Sequence, residues 1–199
     1  MGRGCVSLID EIRSFEPFNE QEAVDRDLIL RRLKGDPRAF DRESLAHVTC
    51  SAWTVDPSFI QTLLVYHRIY DSWSWIGGHA DGQQDLAAVA LRELQEETGV
   101  SSGRVVNCGS GNILSLEVLT VDGHEKRGAY VGSHLHLNVT YLVVADPNAR
   151  IRVKEDENSG VRWVPLEDAI TLSSEPWIRD RIYRKLIQKT RGIAAKQSR

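Results

Sequence analysis

Three glutamates crowd one stretch of the chain and could hold a divalent metal ion. Glu93, Glu96 and Glu97 stand at positions i, i+3 and i+4, which in a helix places their side chains on one face. Like charges this close repel each other, and a hard cation removes the repulsion. Carboxylate oxygens suit magnesium or manganese rather than zinc. The pattern therefore predicts metal chemistry on phosphates.

A glycine pair and an amphipathic helix are expected to position these carboxylates. Gly77-Gly78 predicts a loop in which a ligand can approach the main chain closely. Apolar residues at helical spacing then predict a helix that buries one side against a sheet, and these are Leu86, Ala87, Ala90, Leu91 and Leu94. Arg92, four residues before Glu96, can pair with it. A solvated acidic helix face is the simpler alternative, and the preceding glycines weigh against it.

The same segment resembles the box of the Nudix hydrolases, Gly-x5-Glu-x7-Arg-Glu-u-x-Glu-Glu-x-Gly-u, in which u is aliphatic. The match begins at Gly78, ends at Val100 and runs through Arg92, Glu93, Leu94, Glu96, Glu97 and Gly99. One fixed position departs from the family pattern, since Gln84 stands where the family has its first glutamate. The resemblance implies an α/β fold, a Nudix-type α/β/α sandwich with a mixed β-sheet. It also implies hydrolysis of a diphosphate linkage in a nucleoside-diphosphate-linked small molecule.

The resemblance assigns a role to each matched residue. The implied ligands of Mg²⁺ or Mn²⁺ are Glu93, Glu96, Glu97 and the main-chain carbonyl of Gly77. Glu93 would also act as the catalytic base, in a catalytic set that includes Arg92 and Glu96. Arg92 would orient the carboxylates.

Gln84 changes the chemistry available at the first glutamate position of the box. An amide oxygen can coordinate a metal, but it brings no charge and cannot act as a base. Asp85 carries a carboxylate that could serve instead. Either the first glutamate is dispensable here, or the domain is catalytically weak and binds a nucleotide as a sensor. An isopentenyl-diphosphate isomerase-like enzyme is less expected, because that activity needs an active-site cysteine and His79-Ala80 stands where one would be sought.

Polar residues outside the box are candidates for substrate contact. His134 and His136 share one face of a predicted strand, and His79 directly follows the glycine pair. Such histidines can bind a metal or a phosphate, or they can form a half-buried polar face. Trp73 could stack on a base or sugar, although core packing is the commoner role. Glu157 precedes a strand that resembles a late strand of the family, which makes it a candidate for an additional ligand or base.

Composition describes a globular chain of 199 residues, with 41% hydrophobic and 27% charged residues and a net charge of −3. Neither a nucleic acid polymer nor a membrane is therefore an expected partner. No apolar run approaches the roughly 20 residues of a membrane span, and the N-terminus lacks the apolar core of a secretory signal. The three cysteines, Cys5, Cys50 and Cys108, form neither a disulfide framework nor a metal pattern. A reduced, cytoplasmic setting is expected.

The organisation along the chain predicts three parts. We expect an N-terminal helical extension over 1–45, a Nudix hydrolase domain over 46–172, and a C-terminal helix and tail over 173–199. In the extension, Asn19 caps a helix with Glu22 at the capping-box position, and an apolar stripe is predicted at Val24, Leu28 and Leu33. Strands are predicted at 47–55, 61–67, 113–121, 135–144 and 161–164, with an exposed loop at 122–128. The N-terminal helices could serve a homodimer.

Overall fold

A mixed β-sheet forms the centre of the protein, of which the computed structural model describes residues 7–126 and 128–197. Cys5 and the start of the predicted extension lie outside the described residues, as does the very end of the predicted tail. In chain order the strands are β1 (Ala46–Val55), β2 (Gln61–His67), β3 (Ser72–Ser74), β4 (Ile76–His79), β5 (Arg104–Val105), β6 (Ile113–Val121), β7 (His124–Lys126), β8 (Ala129–Val131), β9 (His134–Val144) and β10 (Asn158–Pro165). Strands β7 and β8 form a hairpin of their own, and the other eight belong to the central sheet.

Two long strands that are distant in sequence run parallel in the middle of this sheet. Strands β1 and β9 pair from Ala46 opposite Leu135 to Val55 opposite Val144. The other described pairs of the sheet are antiparallel: β2 and β4 flank β1, β5 and β6 flank β9, and β3 and β10 pair with β2. The sheet is therefore mixed, as predicted.

Helices cover both faces of the sheet. They are α1 (Leu8–Ser14), α2 (Glu20–Gly35), α3 (Leu86–Thr98), α4 (Asp168–Leu172) and α5 (Arg184–Gln197), with a 3-10 turn at Pro37–Phe40 and a π-helical segment at Ile178–Tyr183 before α5. Leu86 and Leu94 of α3 pack in one core layer, which α1 and α2 complete. Ile182 and Leu186 near the C-terminus pack with Trp53 in a second layer. This arrangement confirms the predicted α/β/α sandwich.

Strand β1 shows how the sequence divides these two layers. Cys50 and Ala52 point into the layer that contains α3, whereas Trp53 and Val55 point into the layer that contains the C-terminal helix. Alternate residues of a strand face opposite sides of a sheet, so one strand can line both cores. Nine of its ten residues are buried, which is typical of a central strand covered by helices.

Three predicted details differ from the structure. Gly77-Gly78 lies in strand β4 rather than in a loop. In the segment 122–128, predicted as an exposed loop, His124–Lys126 form β7 and pair with β8, and position 127 lies outside the described residues. Val24 and Leu28 are exposed, because α2 buries another side, with Glu22, Asp25, Ile29 and Leu33. The predicted stripe on α2 was therefore wrong at two of its three positions.

The Asn19 cap of α2 is confirmed, and it directs Glu22 into the protein. Asn19 Oδ1 accepts a hydrogen bond from the Glu22 amide at 3.0 Å, and the Glu22 carboxylate accepts one from the Phe18 amide at 2.7 Å. The Glu22 side chain is fully buried. Glu22 therefore belongs both to the cap of α2 and to a cluster of buried polar side chains.

This cluster, which we call the charge network, consists of Glu22, Glu117, Lys185 and Lys189 and joins α2 and β6 to α5. Lys185 Nζ lies 3.3 Å from Glu22 Oε1 and 3.1 Å from Glu117 Oε1. Lys189 Nζ donates to both oxygens of Glu22, at 2.9 and 3.0 Å. Although burial opposes ionisation, Lys185 and Lys189 lower the pKa of Glu22. Glu117 Oε2 also accepts hydrogen bonds, each of 3.0 Å, from two side chains of β9, Asn138 and Thr140.

The two described cysteines are free thiols. Cys50 is fully buried, and Cys108 is half-buried. Within the described ranges, no helix is both long enough and apolar enough to span a bilayer.

Candidate functional site

The glycine pair brings strand β4 into close contact with helix α3 and strand β1. A Cβ atom on Gly78 would lie 2.4 Å from Glu93 Cδ. A Cβ atom on Gly77 would lie 2.7 Å from both the Cys50 carbonyl oxygen and Ser51 Oγ. Neither glycine has a positive φ, so the sequence needs glycine here for space rather than for a turn.

Arg92 holds two of the predicted metal-binding carboxylates. Its guanidinium lies 3.0 Å from Glu93 Oε1, and its Nε lies 3.6 Å from Glu96 Oε1. The side chain of Glu93 is 13% exposed and that of Glu96 is 48% exposed, so the pair spans the rim of the site. Arg92 thus contacts both of the carboxylates that it was predicted to orient.

Glu97 is the buried member of the three glutamates. Its Oε1 accepts a hydrogen bond from the Gly77 amide at 3.2 Å, and its Oε2 accepts one from Asn158 Nδ2 at 2.9 Å. Burial raises the pKa of Glu97 to about 8, against the effect of these two hydrogen bonds. A cation beside the carboxyl would favour its ionised form. Glu97 therefore fits a metal ligand better than a surface acid.

Lys154 connects these glutamates to Glu157. Lys154 Nζ lies 2.9 Å from Glu157 Oε2 and 3.8 Å from Glu96 Oε2. Glu157 is close enough to Glu97 to contribute to its raised pKa. Four carboxylates thus converge between α3 and the segment before β10, and we call Glu93, Glu96, Glu97 and Glu157 the carboxylate site. Its oxygen-rich donor set fits a hard divalent ion such as Mg²⁺ or Mn²⁺.

Two predicted site residues lie apart from the carboxylate site. Asp85 is the N-cap of α3, where its side chain accepts a main-chain hydrogen bond at 3.0 Å. At a rise of 1.5 Å per residue, it lies about 12 Å along the helix axis from Glu93. Trp73 is on β3 and packs against the core layer opposite to that of α3, and the Arg162 guanidinium lies over its ring at 4.1 Å from the ring centre. The position of Asp85 does not favour it as a metal ligand. Arg162 covers one face of the Trp73 ring, so only the other face could stack on a substrate.

Four histidines from three strands meet in what we call the histidine cluster, His47, His79, His134 and His136. The ring centres of His47, His79 and His136 are 5.0 to 5.1 Å apart. His134 lies 5.2 Å from His47 and 5.0 Å from His136. The structure therefore brings together the three histidines that the sequence singled out, and it adds His47.

Strand alternation separates the histidine cluster from the glutamates of α3. Gly78 faces Glu93, so the next residue of β4, His79, points to the opposite face of the sheet. That face also carries Ser51 and Asn138, which are joined by a hydrogen bond of 2.9 Å. The two groups of functional side chains thus lie on opposite faces of one strand.

Burial keeps the imidazoles of His47, His79 and His136 uncharged at neutral pH. It lowers the pKa of His47, lowers that of His79 to about 4 and lowers that of His136 to about 2. Arg42 adds to the effect at His79, and the neighbouring imidazoles add to it at His136. Each of these three rings therefore offers a nitrogen lone pair.

The contact between Gly78 and Glu93 leads to a prediction. Gly78→Ala should push the Glu93 carboxylate out of place and weaken Mn²⁺ binding by about 10- to 100-fold, the usual cost of disturbing a ligand's support. The measurement is a calorimetric Mn²⁺ titration. Gly192→Ala is the matched control, because a Cβ atom there meets nothing within 4 Å. Equal affinities of the two variants would contradict the assignment of Glu93.

Sequence reasoning missed three residues that shape these sites. Lys154 stands three residues before Glu157, a spacing that favours ion pairs and could have drawn notice. His47 begins a polar alternation with Thr49 and Ser51 inside a predicted strand, which also marks a polar sheet face. Asn158 carries no comparable signal, since its partner Glu97 is 61 residues away.

Comparison with known proteins assigns this architecture. A family model described as NUDIX domain matches residues 46–186, more than half of the chain. Among solved structures, a C. elegans Ap4A hydrolase is 18% identical with a TM-score of 0.53, over 75% of this chain and 98% of that one. The E. coli dihydroneopterin triphosphate pyrophosphohydrolase is 15% identical with a TM-score of 0.51, over 71% and 95%. The NUDIX domain of Shewanella oneidensis NrtR, complexed with ADP ribose, is 20% identical with a TM-score of 0.50, over 82% and 96%.

Proposed function

The chain belongs to the Nudix family, and from this premise we propose that it hydrolyses a diphosphate linkage in a nucleoside-diphosphate-linked small molecule, with Mg²⁺ or Mn²⁺ as cofactor. The observation that carries the proposal is the convergence of four carboxylates beside the glycine pair. Isolated acidic side chains on a surface helix would be solvated and independent. Here Glu97 is buried and accepts a hydrogen bond from Gly77 of β4, the strand that contains the glycine pair.

The residues of the site have distinct roles in this proposal. Divalent ions polarise diphosphate oxygens and lower the pKa of a bound water. The side chains that would hold them are Glu93, Glu96 and Glu97, with the Gly77 carbonyl as a further ligand. Arg92 keeps Glu93 and Glu96 oriented, and Glu93 would accept the proton of the attacking water. Glu157, restrained by Lys154, is the second candidate for that base.

A substrate panel tests the proposal directly. The panel contains ADP-ribose, a nucleotide sugar, a dinucleoside polyphosphate and an oxidised nucleoside triphosphate, each with Mg²⁺, with Mn²⁺ and with a chelator. We expect cleavage of the diphosphate linkage of at least one compound, with either metal and not with the chelator. Chromatography of the two products identifies the broken bond. Absence of metal-dependent cleavage across the panel would contradict the proposal.

A catalytically weak, nucleotide-binding domain is the second candidate, and the residue at position 84 motivates it. Gln84 replaces the first glutamate of the box and lies exposed on the segment before α3. The three glutamates of α3 and Glu157 need no help from this position to converge. Retained binding of a panel compound without hydrolysis would select the sensor function.

Restoring the glutamate tests how much position 84 contributes. We expect Gln84→Glu to change turnover by less than about tenfold, or about 1.4 kcal/mol of activation energy, because the proposed ligands Glu93, Glu96 and Glu97 are all present without it. Gln83→Glu is the matched control, since it adds the same charge to the neighbouring exposed residue. A large increase with Gln84→Glu alone would show that the native site is compromised.

An isomerase of the isopentenyl-diphosphate type has no support from the cysteines. Cys50 lies opposite Gly78 in the strand pairing, close to the site. Its side chain nevertheless points into the core and is fully buried, and burial raises the pKa of its thiol to about 12. Such a thiol is inert as an acid or a nucleophile.

The setting of the protein is part of the same proposal. We place it in the cytoplasm, where free thiols such as Cys50 and Cys108 persist. Its partner would be a small diphosphate substrate rather than a membrane or a nucleic acid polymer. A homodimer through the N-terminal helices stays a prediction.

A further inference from the structure

We propose that His47, His79 and His136 form a binding site for a transition-metal ion of the zinc class, separate from the carboxylate site. One ring nitrogen of each residue lies within 4.8 Å of the others. The three rings come from β1, β4 and β9, so the sheet itself holds them in place. We call these three residues the histidine triad.

The spacing of the triad suits a metal held by three imidazoles. A tetrahedral ion about 2.1 Å from one nitrogen of each ring would place the ring centres about 5 Å apart. The observed separations are 5.0 to 5.1 Å for all three pairs. The ring centres therefore already have the separation that an ion requires, and the nitrogens, which lie within 4.8 Å of one another, would approach to about 3.4 Å around it.

His47 supplies a second, independent observation. Its Nδ1 lies 2.7 Å from the Ser44 carbonyl oxygen, to which it donates a hydrogen bond, so Nε2 carries the lone pair. Nε2 is buried, because His47 is only 2% exposed, and it makes no hydrogen bond to any described residue. A buried nitrogen without a hydrogen-bond partner lowers stability, and a bound metal ion would remove this cost. Metal-binding histidines also commonly donate their other ring N–H to a main-chain carbonyl, as His47 does to Ser44.

The donor set decides which ion fits. Three imidazoles without a carboxylate form an uncharged site, which suits zinc, cobalt, nickel or copper and not Mg²⁺. The charged groups that act on His79 are Lys126 and the pair of Arg42 and Asp81, in which Arg42 Nε lies 2.7 Å from Asp81 Oδ1. The triad itself contains no charged ligand. Three ligands also leave a fourth position for water or a further donor.

The neighbouring His134 stands beside the triad rather than in it. Its Nδ1 is 2.8 Å from the Gly132 carbonyl oxygen, and its Nε2 is 3.1 Å from His136 Nε2. Because His134 Nδ1 donates to that carbonyl, His134 Nε2 accepts a hydrogen bond from His136 Nε2, which accounts for His134 without a metal and leaves Nδ1 of His136 with the free lone pair. We therefore expect His134→Ala to weaken metal binding less than substitution of a triad residue.

The test uses untagged full-length protein, so that no added histidines compete for the ion. Calorimetric titration with Zn²⁺ should show one equivalent bound, and Co²⁺ should give the visible absorption of a nitrogen-ligated ion. His79→Ala and His136→Ala should each weaken Zn²⁺ binding by at least about 100-fold, more than the loss of an outer-shell partner. Both side chains are half-buried, and thermal unfolding checks that the variants are folded.

Two controls separate this site from the carboxylate site. His67→Ala removes a histidine outside the cluster, whose ring contacts Tyr70 instead, and Zn²⁺ binding should be unchanged. Glu97→Gln should also keep the Zn²⁺ equivalent, whatever it does to hydrolysis. Equal Zn²⁺ affinity in wild type, His79→Ala and His136→Ala would overturn the triad, as would loss of the equivalent in Glu97→Gln alone.

Discussion

Replacing Glu97 with glutamine should abolish metal-dependent hydrolysis and leave the fold intact. Glutamine has nearly the same shape and can still accept a hydrogen bond from the Gly77 amide, but it brings no negative charge to a metal. We expect kcat to fall by at least about 1,000-fold, which corresponds to about 4 kcal/mol. The measurement is turnover of the best panel substrate with saturating Mg²⁺ or Mn²⁺.

A matched control variant and a measurement of the protons released on metal binding complete this experiment. Glu155→Gln makes the same change at an exposed residue near Glu157, and its turnover should equal that of wild type.

Because burial raises the pKa of Glu97 to about 8, the metal-free carboxyl is mainly protonated at pH 7. Metal binding should therefore release a proton and tighten as the pH rises towards 8, as titrations in buffers of different ionisation enthalpy would show. Full activity of the Glu97→Gln variant would contradict the proposed metal site.

Lys185→Met should cause the largest loss of stability. It removes the ammonium between Glu22 and Glu117, and Glu117 then keeps no ion-pair partner in the described part of the chain. Removing one partner of a buried ion pair costs about 3 to 5 kcal/mol. That is a large fraction of a domain's total stability, which is about 5 to 15 kcal/mol. Urea unfolding followed by tryptophan fluorescence measures the change.

The charge network also predicts how this loss can be reversed. Lys185→Met combined with Glu117→Gln leaves no uncompensated carboxylate at that end of the network, so the double variant should recover much of the lost stability. Lys196→Met is the matched control, because Lys196 is exposed on the same helix, and we expect a change below about 0.5 kcal/mol. If Lys185→Met unfolds no more easily than Lys196→Met, the ion pairs contribute nothing.

Much of the fold and the box helix could be predicted from local pattern. The strands at 61–67 and 113–121 have the predicted bounds, and the apolar side of α3 packs as its spacing indicated. These features depend on residues that are close in sequence. The placement of Glu93, Glu96 and Glu97 on one helix follows from the same short-range geometry.

The rest depends on long-range pairing that spacing does not show. His47 reaches His136 only because β1 and β9 run parallel, and Asn158 reaches Glu97 only because β10 joins the sheet beyond β2. The glycine pair was expected in a loop because glycine often marks turns. The structure instead uses it where two elements approach too closely for a side chain. Short polar stretches such as 122–128 are likewise ambiguous between loop and hairpin.

The charge network has a consequence for how the chain is made. The carboxylate of Glu22 meets the ammonium of Lys189 across 167 positions of sequence. At about 5 to 20 residues per second, a ribosome needs roughly 10 to 30 seconds to synthesise that interval. During that time the first helices have no final partner for Glu22, and strand β1 waits for β9. The nascent protein is therefore expected to complete its core only after α5 has emerged, and a message truncated before α5 would yield a chain prone to degradation.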